Sequence, residues 1–147
     1  SIGKNGIGTT PVHFEGTVDQ HSQIQLYLDG PKDKYYTFLT TCHANKGEKM
    51  DKKNLSLLGL NYMAGNRIGD LMEFEQKACI QSLINNKLPI REIFLNEVNE
   101  ETIGYLMMYF FLETICASII WDINCFNQPA VEEIKVLTKK YLLKKSK

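Results

Sequence analysis

Two short runs of β-branched and aromatic residues, with helical spacing between them, constrain this 147-residue chain more than any other feature. Tyr-Tyr-Thr-Phe-Leu-Thr-Thr at 35–41 and, after Pro89, Arg-Glu-Ile-Phe-Leu-Asn-Glu at 91–97 read as strands. Between them Leu71, Phe74, Ala78 and Leu83 recur at a helical period, which predicts a helix over 70–85 with those residues on its apolar side. Strand, helix, strand in that order predicts a parallel pair joined by a crossover, hence an α/β fold with helices on the sheet. Two strands are too few for an independent doubly wound sheet, which needs neighbours and cover on both faces. The pattern therefore predicts a parallel sheet covered by helices, and a truncated domain explains the shortage of strands better than an unusual complete fold.

The remaining elements follow from local signals. Residues 1–16 are rich in Gly, Thr and Pro and read as loop, with a short extended piece at 11–14. A helix is predicted over about 19–28, with Thr17 and Gln20 in the form of a capping box and Val18, Ile24 and Leu28 on one face. Gly30-Pro31 ends it. Residues 44–54 are polar and read as loop; 55–63 read as a helix broken near Gly65. Asn99 has the form of a cap for a long apolar helix running through 102–121. The last helix is predicted over about 130–143, with Val131, Ile134, Leu137 and Leu142 toward one side. There is no internal repeat and no low-complexity linker.

Composition narrows the function classes. Seventeen basic and seventeen acidic side chains cancel, so no global field favours nucleic acid or a membrane surface. Lys139, Lys140, Lys144, Lys145 and Lys147 cluster where a helix dipole favours cations. Cys42, Cys79, Cys116 and Cys125 form no CxxC pair, which fits a reducing cytoplasm, and Cys42-His43 lacks the second pair of ligands that a zinc site requires. No signal-peptide pattern opens the chain. The 102–121 run is long enough to span a bilayer, but Glu113, Gly104, Thr114 and Ser118 interrupt it, and the same pattern describes a buried core helix.

Three segments carry candidate chemistry. Beyond that apolar run, Gln128 and Lys135 stand seven residues apart, about two helical turns if Pro129 occupies the first turn. An amide and an ammonium on one side suit an oxygen-rich ligand, but a Gln and a Lys on one helix face are usually just solvated, and spacing alone favours that reading. His21 falls in the first turn of the first helix, near the positive end of its dipole. Taken by itself, it reads as a surface histidine with no role. The third segment is Ser1-Ile-Gly-Lys4.

The residue order adds a resemblance. From Ser118 through Ile120, Trp121, Phe126, Asn127, Gln128, Ala130, Val131 and Glu132 to Lys135, the chain resembles the C-terminal signature of glucose-6-phosphate isomerases, with every slot filled in order. One departure stands beside it: Ile134 occupies a place where many members have Gly. The stretch from Gly16 to Pro31 resembles the segment that carries the family's ring-opening histidine, and His21 falls on that residue. Ser1-Ile-Gly-Lys4 resembles the end of a Glu-Ser-x-Gly-Lys segment, whose glutamate, the catalytic base, would immediately precede Ser1.

The resemblance implies that residues 1–147 are part of the second sugar-isomerase (SIS) domain, an α/β three-layer parallel-sheet domain of flavodoxin-like type, truncated at its N-terminal strands and with C-terminal helices, and that they amount to the last third or so of an isomerase. It implies interconversion of glucose 6-phosphate and fructose 6-phosphate, in glycolysis and gluconeogenesis, by ring opening and an enediolate. His21 and Lys135 are the catalytic residues so implied, with Gln128 on the substrate and no metal or organic cofactor. The implied assembly is a cytoplasmic homodimer in which His21 serves the neighbouring subunit's site. It involves no nucleic acid or membrane partner, and the base lies on the missing N-terminal part. A sugar-phosphate-binding module without catalysis, or an interaction remnant, are the alternative readings.

Overall fold

A computed structural model describes residues 3–145; Ser1 and Lys147 lie outside the described residues. The chain forms two compact units, Val12–Asn99 and a second composed of Ser1–Pro11 with Glu100–Lys147.

The first unit runs α1 (Gln20–Asp29), β1 (Tyr36–Thr41), α2 (Lys52–Leu57), a 3-10 turn (Asn61–Met63), α3 (Ile68–Asn85) and β2 (Ile90–Leu95). Strands β1 and β2 pair in parallel, from Tyr36 opposite Ile90 to Thr41 opposite Leu95, which is the α/β arrangement expected of the two apolar runs. Because side chains alternate along a strand, Tyr36, Phe38 and Thr40 share one face with Ile90 and Glu92. On that face Tyr27 of α1 meets Cys79 and Leu83 of α3 and Leu88, with Phe14, Ile24, Leu28, Tyr36, Phe38 and Ile90 packed around them. The Tyr27 ring is central, 5.5 Å from Phe14 and 5.2 Å from Tyr36 between centroids. Thr40 is almost fully buried, and its hydroxyl donates to Glu92 Oε1 at 2.7 Å, so the polar group is satisfied. On the opposite face Arg91 donates to Thr37 Oγ1 at 2.9 Å and lies over the Tyr35 ring.

The buried side of α3 differs from the sequence expectation. Leu83 is fully buried, with Cys79 and Ile80 beside it, whereas Phe74 is 59% exposed and Ala78 is also exposed. Phe74 and Leu83 are nine residues apart, about two and a half turns, which puts them on opposite sides of the helix. Burial pushes the Cys79 thiol up from its ordinary range.

The expected helix over 55–63 is two elements. Helix α2 starts earlier, at Lys52, and ends in a Schellman motif: Leu60 N–H donates to Leu55 O (2.9 Å), Gly59 N–H to Ser56 O (3.3 Å), and Gly59 takes φ +71°. Helix α3 ends the same way. Leu88 N–H donates to Leu83 O (3.1 Å) and Lys87 N–H to Ile84 O (2.8 Å), with Lys87 at φ +57°. The buried Leu83–Leu88 contact is the apolar clasp that accompanies this motif.

In the second unit, Lys4 and Ile7 form a small antiparallel bridge, and two helices follow, α4 (Glu100–Ile120) and α5 (Pro129–Lys145). The expectation that the long apolar helix is buried is not met in this chain. Only Ser118 of α4 is buried; Tyr105, Met107, Met108, Phe111 and Leu112 are exposed. The helix is long and apolar enough to cross a membrane by length and composition. Helix α5 likewise buries none of its residues, Val131, Ile134, Leu137 and Leu142 included.

Candidate functional site

His21 is the second residue of α1, and the way the chain enters that helix decides where the imidazole points. The expected Thr17–Gln20 capping box does not form. Asp19 is the N-cap and makes no side-chain bond to the helix amides. Thr17 instead takes the left-handed conformation, φ +67°, inside a turn that Asp19 closes: Asp19 N–H donates to Glu15 O (3.0 Å), and Asp19 Oδ2 accepts from Glu15 N–H (2.8 Å). Val18, expected on the packed face, is exposed, while Ile24 and Leu28 do pack. At the other end Gly30 donates to Leu26 O (2.9 Å). A Cβ there would stand 2.4 Å from that oxygen, so the stop requires glycine. His21 is exposed.

Gln128 and Lys135 belong to the other unit. They are set by the turn between α4 and α5, and this turn explains several residues of the signature. Helix α4 stops in a third Schellman motif, with Ile123 N–H donating to Ser118 O (2.9 Å), Asp122 N–H to Ile119 O (3.3 Å), and Asp122 at φ +51°. Ser118 is buried, its Oγ within hydrogen-bond distance of Ile115 O (2.7 Å) and of the buried Cys125 Sγ (3.2 Å). Asn124 Oδ1 accepts from Phe126 N–H (2.8 Å), and its carbonyl accepts from Lys4 Nζ.

Pro129 then opens α5, as expected of a residue with no N–H to lose. Gln128 sits just outside, its carbonyl accepting from Val131 N–H (3.1 Å). Lys135 lies two turns on, roughly 10 Å along the axis, and pairs with Glu132 at 2.5 Å. Both members of that pair are about two-thirds exposed, so it orients the ammonium loosely rather than anchoring it. Gln128 is exposed too.

The loop leaving β1 is held more firmly. Glu73 Oε2 accepts from His43 N–H (3.0 Å), and Asp70 accepts from Asn45 N–H and Arg67 N–H (both 2.7 Å). These amide bonds hold both carboxylates below their ordinary range, Lys77 adding to the effect on Glu73. Gly69 is buried where a Cβ would lie 2.1 Å from His43 O, so loop and helix touch backbone to backbone.

Sequence reasoning does not reach Asp19, which shapes the entry to the helix of His21, nor, in the other unit, Asn124 and the Ser118–Cys125 contact, which shape the turn before Gln128 and Lys135. Only Asn124 had a signal of its own, an Asn two residues before an aromatic in a turn.

A parallel strand pair with a crossover helix, followed by a helix that opens on proline with an amide just before it and an ammonium two turns on, defines an α/β chain of the parallel-sheet class. The phosphoglucose isomerase family model matches residues 5–147, and the chain belongs to that family. It is 36% identical over 132 residues to a probable glucose-6-phosphate isomerase of Methanococcus maripaludis, covering 90% of this chain and 29% of that protein. It is 34% identical over 138 residues to the glucose-6-phosphate isomerase of Rubrobacter xylanophilus, covering 94% and 32%. The crystal structure of a hypothetical protein from Thermus thermophilus superposes with a TM-score of 0.83 at 30% identity, covering 97% of this chain and 34% of that one. The chain thus spans about a third of the length of the curated relatives it matches.

Proposed function

We propose that this chain is the C-terminal third of a glucose-6-phosphate isomerase, contributing the oxygen-handling half of the active site. The observation that carries this reading is the family match over residues 5–147 together with the unbroken signature from Ser118 to Lys135. In this reading the enzyme interconverts glucose 6-phosphate and fructose 6-phosphate in the cytoplasm, within a SIS-type domain and without a cofactor.

The chemistry has three proton-handling tasks: opening the ring, moving a proton between C1 and C2, and closing the ring. Imidazole can both donate and accept a proton, which suits protonation of the ring oxygen; His21 takes that role. An ammonium is a compact charge that steadies oxygens gaining negative charge, and Lys135 takes the sugar hydroxyl. Gln128 contacts the bound sugar. Proton transfer at carbon belongs to the glutamate that aligns immediately before Ser1, outside these 147 residues. His21 serves the neighbouring subunit of a homodimer.

The test is direct. These 147 residues are incubated with fructose 6-phosphate, and glucose 6-phosphate is followed through a coupled dehydrogenase. No turnover is expected from the chain alone, since a general base contributes roughly a hundred- to ten-thousand-fold and neither His21 nor Lys135 is assigned to carbon. Activity is expected once the N-terminal part of the isomerase is supplied. Turnover by the chain alone near that of an intact isomerase would overturn the assignment of the base.

A further inference from the structure

We infer that Asp19 is the positioning residue of His21, an inference that rests on the assignment of His21 to ring opening. His21 is exposed, so its aim comes from the backbone of the first turn of α1. The far half of that helix is fixed by Tyr27 in the core. The near end is fixed by Asp19. Its N–H and its carboxylate close the turn back to Glu15, and its carbonyl accepts from Ser22 N–H (3.2 Å), Gln23 N–H (2.9 Å) and Ser22 Oγ (3.2 Å). One residue therefore joins a closed turn to the helical turn that bears the histidine.

Inside the closed turn Thr17, a β-branched residue, holds a left-handed conformation at φ +67°. Such a conformation persists only where its surroundings impose it, and it collects at sites where geometry matters. Backbone closure by itself would let the turn relax. The Asp19 carboxylate supplies a second closure, at a position where an ordinary N-cap residue would bond to the helix amides. A carboxylate diverted from capping to hold a strained turn two residues before a candidate acid is the observation behind the assignment. Asp19 touches no substrate in this scheme; it acts through the placement of His21.

The experiment uses the full-length isomerase that carries this chain and compares cyclic fructose 6-phosphate with an acyclic sugar-phosphate analogue that needs no ring opening. His21→Ala, Asp19→Ala, Asp19→Asn and the double variant Asp19→Ala/Thr17→Gly are assayed in parallel. Asp19→Ala is expected to lower kcat on the cyclic sugar by about tenfold to a hundredfold, the loss that a misplacement of roughly an ångström brings, while the acyclic rate stays near that of the parent. Asp19→Asn keeps an acceptor oxygen and is expected to restore most of the cyclic rate. If Asp19→Ala does not fold, the double variant carries the readout: glycine lifts the cost of the left-handed conformation at residue 17 and so restores folding, but it leaves the turn freer without the carboxylate that closed it, and the cyclic rate still falls. Equal losses on both substrates, or no loss on the cyclic sugar, while His21→Ala remains selective, would overturn the role of Asp19. Equal losses for His21→Ala itself would instead remove the ring-opening assignment on which it rests.

Discussion

Gly59→Ala and Lys87→Gly form a matched pair that should change local stability in opposite directions. Both residues occupy the left-handed position of a Schellman motif, at φ +71° and φ +57°. A Cβ added at Gly59 would meet nothing within 4 Å, so the substitution carries no packing change. What remains is the left-handed penalty of an L-residue, about 1–2 kcal/mol. Alanine recovers about 0.5–1 kcal/mol of it because its unfolded chain has less freedom than glycine. The net is a loss of about 1 kcal/mol at Gly59 and a gain of similar size at Lys87, whose side chain is exposed. The sensitive probes are the amides that close each motif, Leu60 to Leu55 O and Leu88 to Leu83 O. Hydrogen exchange should quicken at Leu60 in Gly59→Ala and slow at Leu88 in Lys87→Gly, each by about fivefold. Unchanged or faster exchange at Leu88 in Lys87→Gly would show that the helix end is not under conformational cost and would refute the reasoning.

Other outcomes are expected on the same grounds. In the intact isomerase, Lys135→Ala should, like His21→Ala, slow turnover of the cyclic sugar more than that of an acyclic analogue, whereas Gln128→Ala should mainly raise KM; equal effects on both substrates would remove the proposed roles. Asp70 and Glu73 are held below their ordinary values of 3.8 and 4.5, so the stability they lend to the loop after β1 is fully present above those values and is lost as pH falls through the depressed ones. Amide exchange at His43 and Asn45 should accordingly quicken only in that acid range, and acceleration already at pH 6 would contradict it. The chain by itself should self-associate through its exposed apolar surface, α4 above all; a concentration-independent monomer in sedimentation would count against this.

Particular residues show how far the sequence could be read. Strand β1 was legible because Tyr36, Phe38 and Leu39 sit among threonines, a composition that fits a pleated surface whatever surrounds it. The end of α1 was legible because Gly30-Pro31 cannot continue a helix. The ends of α3 and α4 were not, since Lys87 and Asp122 adopt positive φ without any glycine to announce it. There the motif is imposed by the buried Leu83–Leu88 clasp and by Ser118, whose carbonyl accepts from Ile123. The buried side of α3 is not legible at Phe74, because an apolar residue at a helical interval shows that a face exists, not which neighbour it meets.

The sequence by itself determined the order of elements and the parallel character of the strand pair, because these follow from residue type and spacing along one chain; His21, Gln128 and Lys135 stand out in it only through the resemblance to the isomerase segments. Tertiary structure decided the rest. It buried Cys79 and left Phe74 exposed. It left Thr17 without a cap partner and turned the Asp19 carboxylate back toward Glu15. It left α4 exposed along most of its length. Local propensity is a property of neighbouring residues, but burial and hydrogen-bond choice depend on which distant groups compete for the same face or amide, and only the folded chain brings those groups together.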